Sequence, residues 1–312
     1  MDSVSVVIPV FNSREILQEL INQLLQVLPA LSQRYEVILV DDGSIDGSWP
    51  VVSQLAEAHP SVRGFSLMRN YGQHNALLCG IRAATGEVIV TMDDDLQHPP
   101  EEIPKLLDKL AEGYDVVYGQ PDKEQHGLWR DVASRMTKLA LASTMGAETA
   151  RIVSAFRAFR TPIREAFQAY QGPFLSIDVL LTWGARHFTS VLTRHEPRKS
   201  GVSNYTFRKL VNHAFNMLTG FSLRPLQIVS GIGFGLALFG FGLLIYIIGR
   251  FLIQGTSVPG FPFLASTISI FSGAQLLAIG IIGEYLSRIH FRLMDRPTYV
   301  IGQQVSSQKR TD

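Results

Sequence analysis

The chain has 312 residues, a net charge of +1 and a single cysteine, Cys79. Near-neutrality gives no sign of a nucleic-acid partner, and one cysteine excludes an internal disulfide and a cysteine-rich zinc site. Mean hydropathy is positive, with the apolar excess gathered in the last third. The N-terminus runs into a strand without a basic leader, so no signal peptide is expected and the first part is expected to stay in the cytoplasm.

From residue 1 to about 120, apolar β-rich runs alternate with helical patterns. Strands are expected over 4–10, 35–40 and 62–68. Ser13 is placed to cap a helix that carries Ile16, Leu17, Leu20, Ile21, Leu24 and Leu25 on one face. A second helix is expected over about 47–58, and a third runs from the Arg69-Asn70-Tyr71-Gly72-Gln73-His74 segment to about residue 84. Glu87-Val88-Ile89-Val90 reads as a buried strand. It leads into Thr91-Met92-Asp93-Asp94-Asp95-Leu96-Gln97-His98-Pro99-Pro100, after which a helix over 101–111 has acids in its first turn. A further strand follows over 115–118. Repeated units of this kind imply an α/β fold with a mainly parallel sheet covered by helices on both faces. No G-x-G-x-x-G follows the first strand, which disfavours a dehydrogenase-type dinucleotide site.

Two strand ends are acidic, Asp41-Asp42 and Asp93-Asp94-Asp95. Open α/β sheets bind ligands at the carboxyl ends of their strands. On extended backbone Asp93, Asp95 and Gln97 point the same way and converge. Two carboxylates and an amide oxygen suit a hard cation, Mg²⁺ or Mn²⁺. The second acidic end is free to hold a base or ribose while the metal neutralises a diphosphate.

Val6-Val7-Ile8-Pro9-Val10-Phe11-Asn12, Val40-Asp41-Asp42-Gly43-Ser44, Arg69 to His74 and Asp93 to Pro100, in this order, resemble the family 2 glycosyltransferases of GT-A fold. Within them the chain resembles the polyprenyl-phosphate, or dolichyl-phosphate mannose synthase-like, branch. The resemblance implies a GT-A Rossmann-like domain. It places Pro9, Phe11, Asn12, Asp42, Asn70, Gly72, Asp93 and Asp94 along a nucleotide sugar, with Asp95 catalytic and Asp93, Asp95 and Gln97 at the metal. Arg130 and Ser134, four apart on a predicted helix running to about residue 143, share a face. With Arg198 and Ser203 they are implied to bind donor and acceptor phosphates, Arg130 and Arg198 at the reacting centre. His74 and His126 lack metal-ligand spacing.

The pattern departs from the family at Ser13, at Gln120-Pro121, at Asn204, and at Ser154-Ala155-Phe156-Arg157, which lacks an acidic residue. These departures bear on donor identity and the phosphate clamp, not on the reaction class.

The last third is a different material. Residues 204–224 carry Phe207, Leu210, Val211, Ala214, Phe215 and Leu218 on one helical face and polar residues on the other, an interfacial pattern. Residues 226–249 and 258–283 are uncharged and, at ~1.5 Å per residue, long enough for the ~30 Å hydrocarbon core. The expected organisation is a cytoplasmic catalytic domain over 1–203, an interfacial helix over 204–224, a two-helix hairpin within 225–287 and a cytoplasmic tail over 288–312. Arg208, Lys209 and Arg224 before the hairpin and Arg288, Arg292 and Arg296 after it put both termini on the cytoplasmic side, here of a bacterial inner membrane. Gly231, Gly233, Gly235, Gly240 and Gly242 permit close helix packing, including between subunits.

The implied activity is inverting, metal-dependent transfer of a sugar from a UDP-linked donor to a membrane polyprenyl phosphate, for cell-envelope glycan or lipid modification. A processive polysaccharide synthase is the first rival, but 125–130 reads Gln-His-Gly-Leu-Trp-Arg rather than Gln-x-x-Arg-Trp, and two spans are few for a polymer channel. A non-enzymatic scaffold or lipid translocator is the second, and the intact acidic and basic motif residues argue against it.

Overall fold

The structure is a computed structural model and describes residues 2–121, 147–172, 175–196, 224–254 and 260–307. The apolar runs of the first part form the strands that their composition predicts. β1 (Ser3–Val10), β2 (Arg34–Asp41), β3 (Val62–Leu67) and β4 (Val88–Thr91) are parallel and lie in the order β4-β1-β2-β3. Almost every residue of β1 and β4 is buried, as expected of strands covered on both faces.

The helices α1 (Leu17–Leu31), α2 (Ser48–Ala58) and α4 (Ile103–Ala111) pack on one face of the sheet, around Val6, Ile8, Leu39 and Val90. α3 (Gln73–Ala83) packs on the other, around Val7, Ile38, Val40 and Ile89. The chain therefore changes faces between β3 and β4, and the crevice between β1 and β4 is a topological switch point. Ser13 does not cap α1. The helix starts at Leu17 with no side-chain cap, and the Ser13 hydroxyl is spent on Phe11 O and Asp94.

Beyond β4 the sheet turns mixed. β5 (Val116–Pro121), α5 (Ala147–Ile152), β6 (Arg157–Arg160), α6 (Ile177–Leu181) and β7 (Phe188–Thr193) follow. β6 lies antiparallel between β4 and β5, and β7 runs parallel to β5. Under this part of the sheet, Arg157 is 1% exposed and pairs with Asp178 of α6. Its Nε donates to Thr91 Oγ1 at 2.9 Å, and the Tyr118 hydroxyl donates to the same Asp178 oxygen at 3.1 Å. The segment that lacks an acid locally thus finds one from a helix twenty residues on.

Two long helices follow, α7 (Arg224–Gln254) and α8 (Phe261–Leu293). They contain apolar spans over Leu226–Arg250 and Ile270–His290, neither of which is buried by the protein. Unburied apolar helices of 25 and 21 residues match the bilayer rather than a soluble core. Gly240 packs inside this hairpin, where an added Cβ would lie 2.9 Å from the Phe271 ring, while Gly231, Gly233, Gly235 and Gly242 face open space. The interfacial-helix residues before 224 lie outside the described residues.

The residues expected to form a tail do more than trail. β8 (Ile301–Ser306) returns to the sheet and pairs antiparallel with β3, giving the eight-stranded order β7-β5-β6-β4-β1-β2-β3-β8. Just before it, Met68 N donates to Val300 O at 2.9 Å, and Tyr299 packs into the core on the α3 face beneath Arg82.

Candidate active site

Three adjacent parallel strands, β4, β1 and β2, end on the same side, and each ends in the chemistry of the site. A cleft of about 210 Å³ opens there, lined by Pro9, Val10, Phe11, Asp42, Asn70, Gly72, Gln73, Asp93, Asp94 and Asp95. Seven of the eight residues expected along a nucleotide sugar are brought together. Asn12 is the exception. It takes a left-handed conformation (φ 54°), and its side-chain oxygen accepts from Ile45 N at 3.0 Å while its own N–H donates to Ser44. It braces the loop after β2 rather than lining the cleft.

Asp42 is buried, and both of its oxygens are already engaged. Oδ1 accepts from Tyr71 N at 2.7 Å and Oδ2 from Gly72 N at 2.8 Å. Burial pushes its pKa up and these two N–H donors oppose that. Asp42 therefore shapes the Asn70–Gln73 wall as well as facing the cleft. Gly43 makes the wall possible. Its φ is +72°, and a Cβ there would sit 2.6 Å from Asn70 N, so only glycine lets the two loops meet.

The run of acids after β4 does not stay on extended backbone. Asp94 and Asp95 form a turn and Leu96 is left-handed (φ 56°) yet buried. The alternation that would have aligned Asp93, Asp95 and Gln97 is broken, and Gln97 is not among the residues lining the cleft. Its backbone serves elsewhere: Gln97 N donates to Asp95 Oδ1 at 3.1 Å, and Gln97 O accepts from Glu196 N at 2.8 Å. Asp93 meets Gln73 Nε2 at 2.6 Å. Asp94 turns inward, accepting from Phe11 N at 3.3 Å and from the Ser13 hydroxyl. Burial pushes its pKa up to about 6 against the pull of those donors.

Among the described residues no group of three His, Cys, Asp or Glu side chains could hold a metal by itself. The donor set still fits a hard cation. Mg²⁺ and its like are commonly held by one or two carboxylates completed by substrate phosphates and water. Asp93 and Asp95 line one cleft and supply that number.

Spacing alone does not reveal several neighbours of the site. Gln73 stands next to Gly72 and reaches Asp93. His98 is buried, stacks on Phe156 at 5.0 Å and meets His195 edge-on at 4.9 Å. Burial and the neighbouring His195 lower its pKa to about 4. Arg194 Nε donates to Glu102 at 2.8 Å. Together with the Glu196–Gln97 bond, this fastens the strand-end after β7 to the acidic turn. The described chain then stops two residues short of Arg198. Arg130, Ser134, Arg198 and Ser203, and His126, lie outside the described residues. Arg157 is not available to a substrate phosphate, because it is buried against Asp178.

With this geometry in place, known proteins give it a context. Residues 5–170 match the family model described as glycosyl transferase family 2. An undecaprenyl-phosphate 4-deoxy-4-formamido-L-arabinose transferase of Pseudomonas savastanoi pv. phaseolicola is 37% identical over 308 residues, covering 97% of this chain and 91% of its own. The enzyme of the same name from Photorhabdus laumondii is 36% identical over 312 residues, covering 99% and 96%. Among solved structures, glucosyl-3-phosphoglycerate synthase from Mycobacterium tuberculosis, in complex with Mn²⁺, UDP and glucosyl-3-phosphoglycerate, superposes with a TM-score of 0.54 at 18% identity. That match covers 70% of this chain and 78% of the synthase, and it shows a common GT-A fold. The switch-point cleft, the order of the motifs along the chain and nearly full-length relatives agree, and this chain is a glycosyltransferase that belongs to glycosyl transferase family 2.

Proposed function

We propose that the chain transfers a sugar from a UDP-linked donor to undecaprenyl phosphate or a similar polyprenyl phosphate in the membrane, with inversion at the anomeric carbon. The observation that carries this reading is the single cleft gathering Pro9, Phe11, Asp42, Asn70, Gly72, Asp93, Asp94 and Asp95, in a chain whose later part holds two unburied apolar helices. The full-length relatives are named for an undecaprenyl-phosphate acceptor, and the GT-A neighbour was solved with Mn²⁺ and UDP.

In this reading the nucleoside lies between the end of β1 and the Asp42-braced wall, with the diphosphate toward Asp93 and Asp95. Those two carboxylates would hold Mg²⁺ or Mn²⁺, whose chemistry when bound is to neutralise charge on the departing diphosphate. An acceptor phosphate oxygen attacks the anomeric carbon from the face opposite the diphosphate. One C–O bond forms, the C–O bond to the diphosphate breaks, and the nucleoside diphosphate leaves. A phosphate monoester is already largely ionised at neutral pH, its second pKa being ~6, so no side chain has to take a proton from it. Placement and charge stabilisation are the protein's contribution. Arg130, Ser134, Arg198 and Ser203 are the proposed acceptor and phosphate ligands.

Topology supports the same reading. β8 follows the hairpin and joins the sheet that precedes it, which supports an even number of bilayer crossings. The basic residues flanking the hairpin favour a cytoplasmic side for that sheet.

The test is transfer from a panel of labelled nucleotide sugars to undecaprenyl phosphate, in membranes containing the protein. A labelled, mild-acid-labile lipid from one UDP-sugar is the expected result. No labelled lipid from any donor refutes the proposal.

A further inference from the structure

A second pocket, of about 270 Å³, adjoins the donor cleft and shares Asn70 with it. Its polar lining includes Arg69, Asn75, Gln171, Arg296 and Thr298, and among the described residues no carboxylate lines it. That contrasts with the donor cleft, which four aspartates line. Two guanidinium groups amid amides and a hydroxyl, with no acid among the described lining residues, form the donor set that recognises a phosphate.

The walls of this pocket come from two parts of the chain that the fold fixes together. Arg69 stands on the wall placed by the Gly43 approach, where a Cβ would also meet Arg69 C at 2.7 Å. Its guanidinium stacks over the Tyr71 ring at 4.5 Å, and Asn75 Nδ2 ties the Tyr71 carbonyl at 2.6 Å. Stacking uses the face of a guanidinium and leaves its N–H edge free to donate. The opposite wall begins at Arg296, three residues after α8 ends at Leu293. The bond from Met68 N to Val300 O and the β3–β8 pairing keep that wall beside Arg69. One side of the pocket therefore belongs to the nucleotide-facing loop, and the other to the chain as it leaves the membrane helix.

We propose that this pocket is an anion subsite for the phosphate of the membrane-borne acceptor, with Arg69 and Arg296 as its ligands on the path from the bilayer surface to the donor cleft. The proposal rests on the acceptor assigned under Proposed function. The donor's own diphosphate is the other source of the same chemistry. It is placed instead in the neighbouring cleft, where Asp93 and Asp95 can share a cation with it.

The experiment uses the full chain in lipid nanodiscs, with farnesyl phosphate as acceptor probe and UDP as donor probe. Arg69→Gln, Arg296→Gln and Gln171→Glu are compared with wild type. The last adds a negative charge to the pocket and leaves both arginines in place. Each variant is expected to raise KM for farnesyl phosphate about tenfold, the scale of one lost charge-assisted hydrogen bond. Maximal rate should change less than about twofold and calorimetric UDP affinity should hold, as for a group that binds without acting only in the transition state. Arg296→Lys should recover part of the loss. Unchanged KM in Arg296→Gln and Gln171→Glu overturns the subsite. A fall in UDP affinity with acceptor KM preserved also overturns it and gives the pocket to the donor. If wild type transfers no sugar at all, the proposed function fails. Calorimetric binding of farnesyl phosphate then judges the subsite alone, and binding that persists undiminished in Arg296→Gln refutes it.

Discussion

Asp178→Ala tests how the acidic turn is held in place. Arg157 is 1% exposed, and its charge is balanced by Asp178, with a further bond to Thr91. Removing the carboxylate leaves a buried guanidinium without its counter-charge, a change that costs about 3–5 kcal/mol. It also orphans the fully buried Tyr118 hydroxyl, for about 1 kcal/mol more. A loss of about 4–6 kcal/mol is a large share of the ~5–15 kcal/mol that holds a typical domain together. The damage should concentrate in β4 and β6, where Thr91 and Arg157 are directly paired in the ladder. Because Thr91 ends β4 just before Asp93, UDP affinity should fall as well. Hydrogen exchange across Val88–Thr91 and Arg157–Arg160 reads the local free energy. The double variant Arg157→Met/Asp178→Leu removes both charges and should recover most of the stability. A single-variant cost below about 1 kcal/mol, or a double variant no better than the single, would refute this account.

Three further outcomes are expected. His98 is held largely neutral, its pKa about 4 against an ordinary 6.5. The unfolded chain then binds the extra proton first, so stability is fully present above pH 6.5 and is lost as pH falls toward 4, by up to about 3 kcal/mol. His98→Phe should flatten that slope in a series of unfolding measurements, and an unchanged slope counts against the assignment. Asp95→Asn should abolish transfer while the protein remains folded and membrane-bound, and chelation should abolish wild-type transfer until Mn²⁺ or Mg²⁺ is restored; near-normal metal-dependent turnover in the variant would remove Asp95 from the site. Tags at the N-terminus and after Asp312 should both be protected in spheroplasts and a tag near Thr256 accessible, whereas an exposed C-terminal tag would contradict an even number of spans.

Much of this arrangement is legible in the residues, and the exceptions have physical reasons. β1, β2 and β4 announce themselves because strands buried on both faces need unbroken apolar runs. The hairpin is equally plain, since two uncharged runs of this length match the hydrocarbon thickness of a bilayer. β8 is invisible by the same logic: Ile301-Gly302-Gln303-Gln304-Val305-Ser306 is a half-polar edge strand whose partner lies across the apolar hairpin in sequence. The cleft is legible as a set of motifs, but the turn at Asp94–Leu96 is not. Leucine is a poor guess for a left-handed residue, and burial of its side chain is what holds it there. Arg157 and Asp178 illustrate a further limit. Each alone reads as a surface charge, and only the fold makes them a pair.

The return of β8 also orders events in time. β3 is an open strand edge until residues 301–306 pair with it, and exposed edges invite pairing with other chains. About 230 residues separate the two strands, which at ~5–20 residues per second of synthesis is roughly 10–50 s of exposure. Both helices of the hairpin are synthesised within that interval, because the sealing strand follows them in the chain. The sheet is therefore completed only after the whole apolar segment has been made, and a chain that stops before residue 301 keeps an open β3 edge.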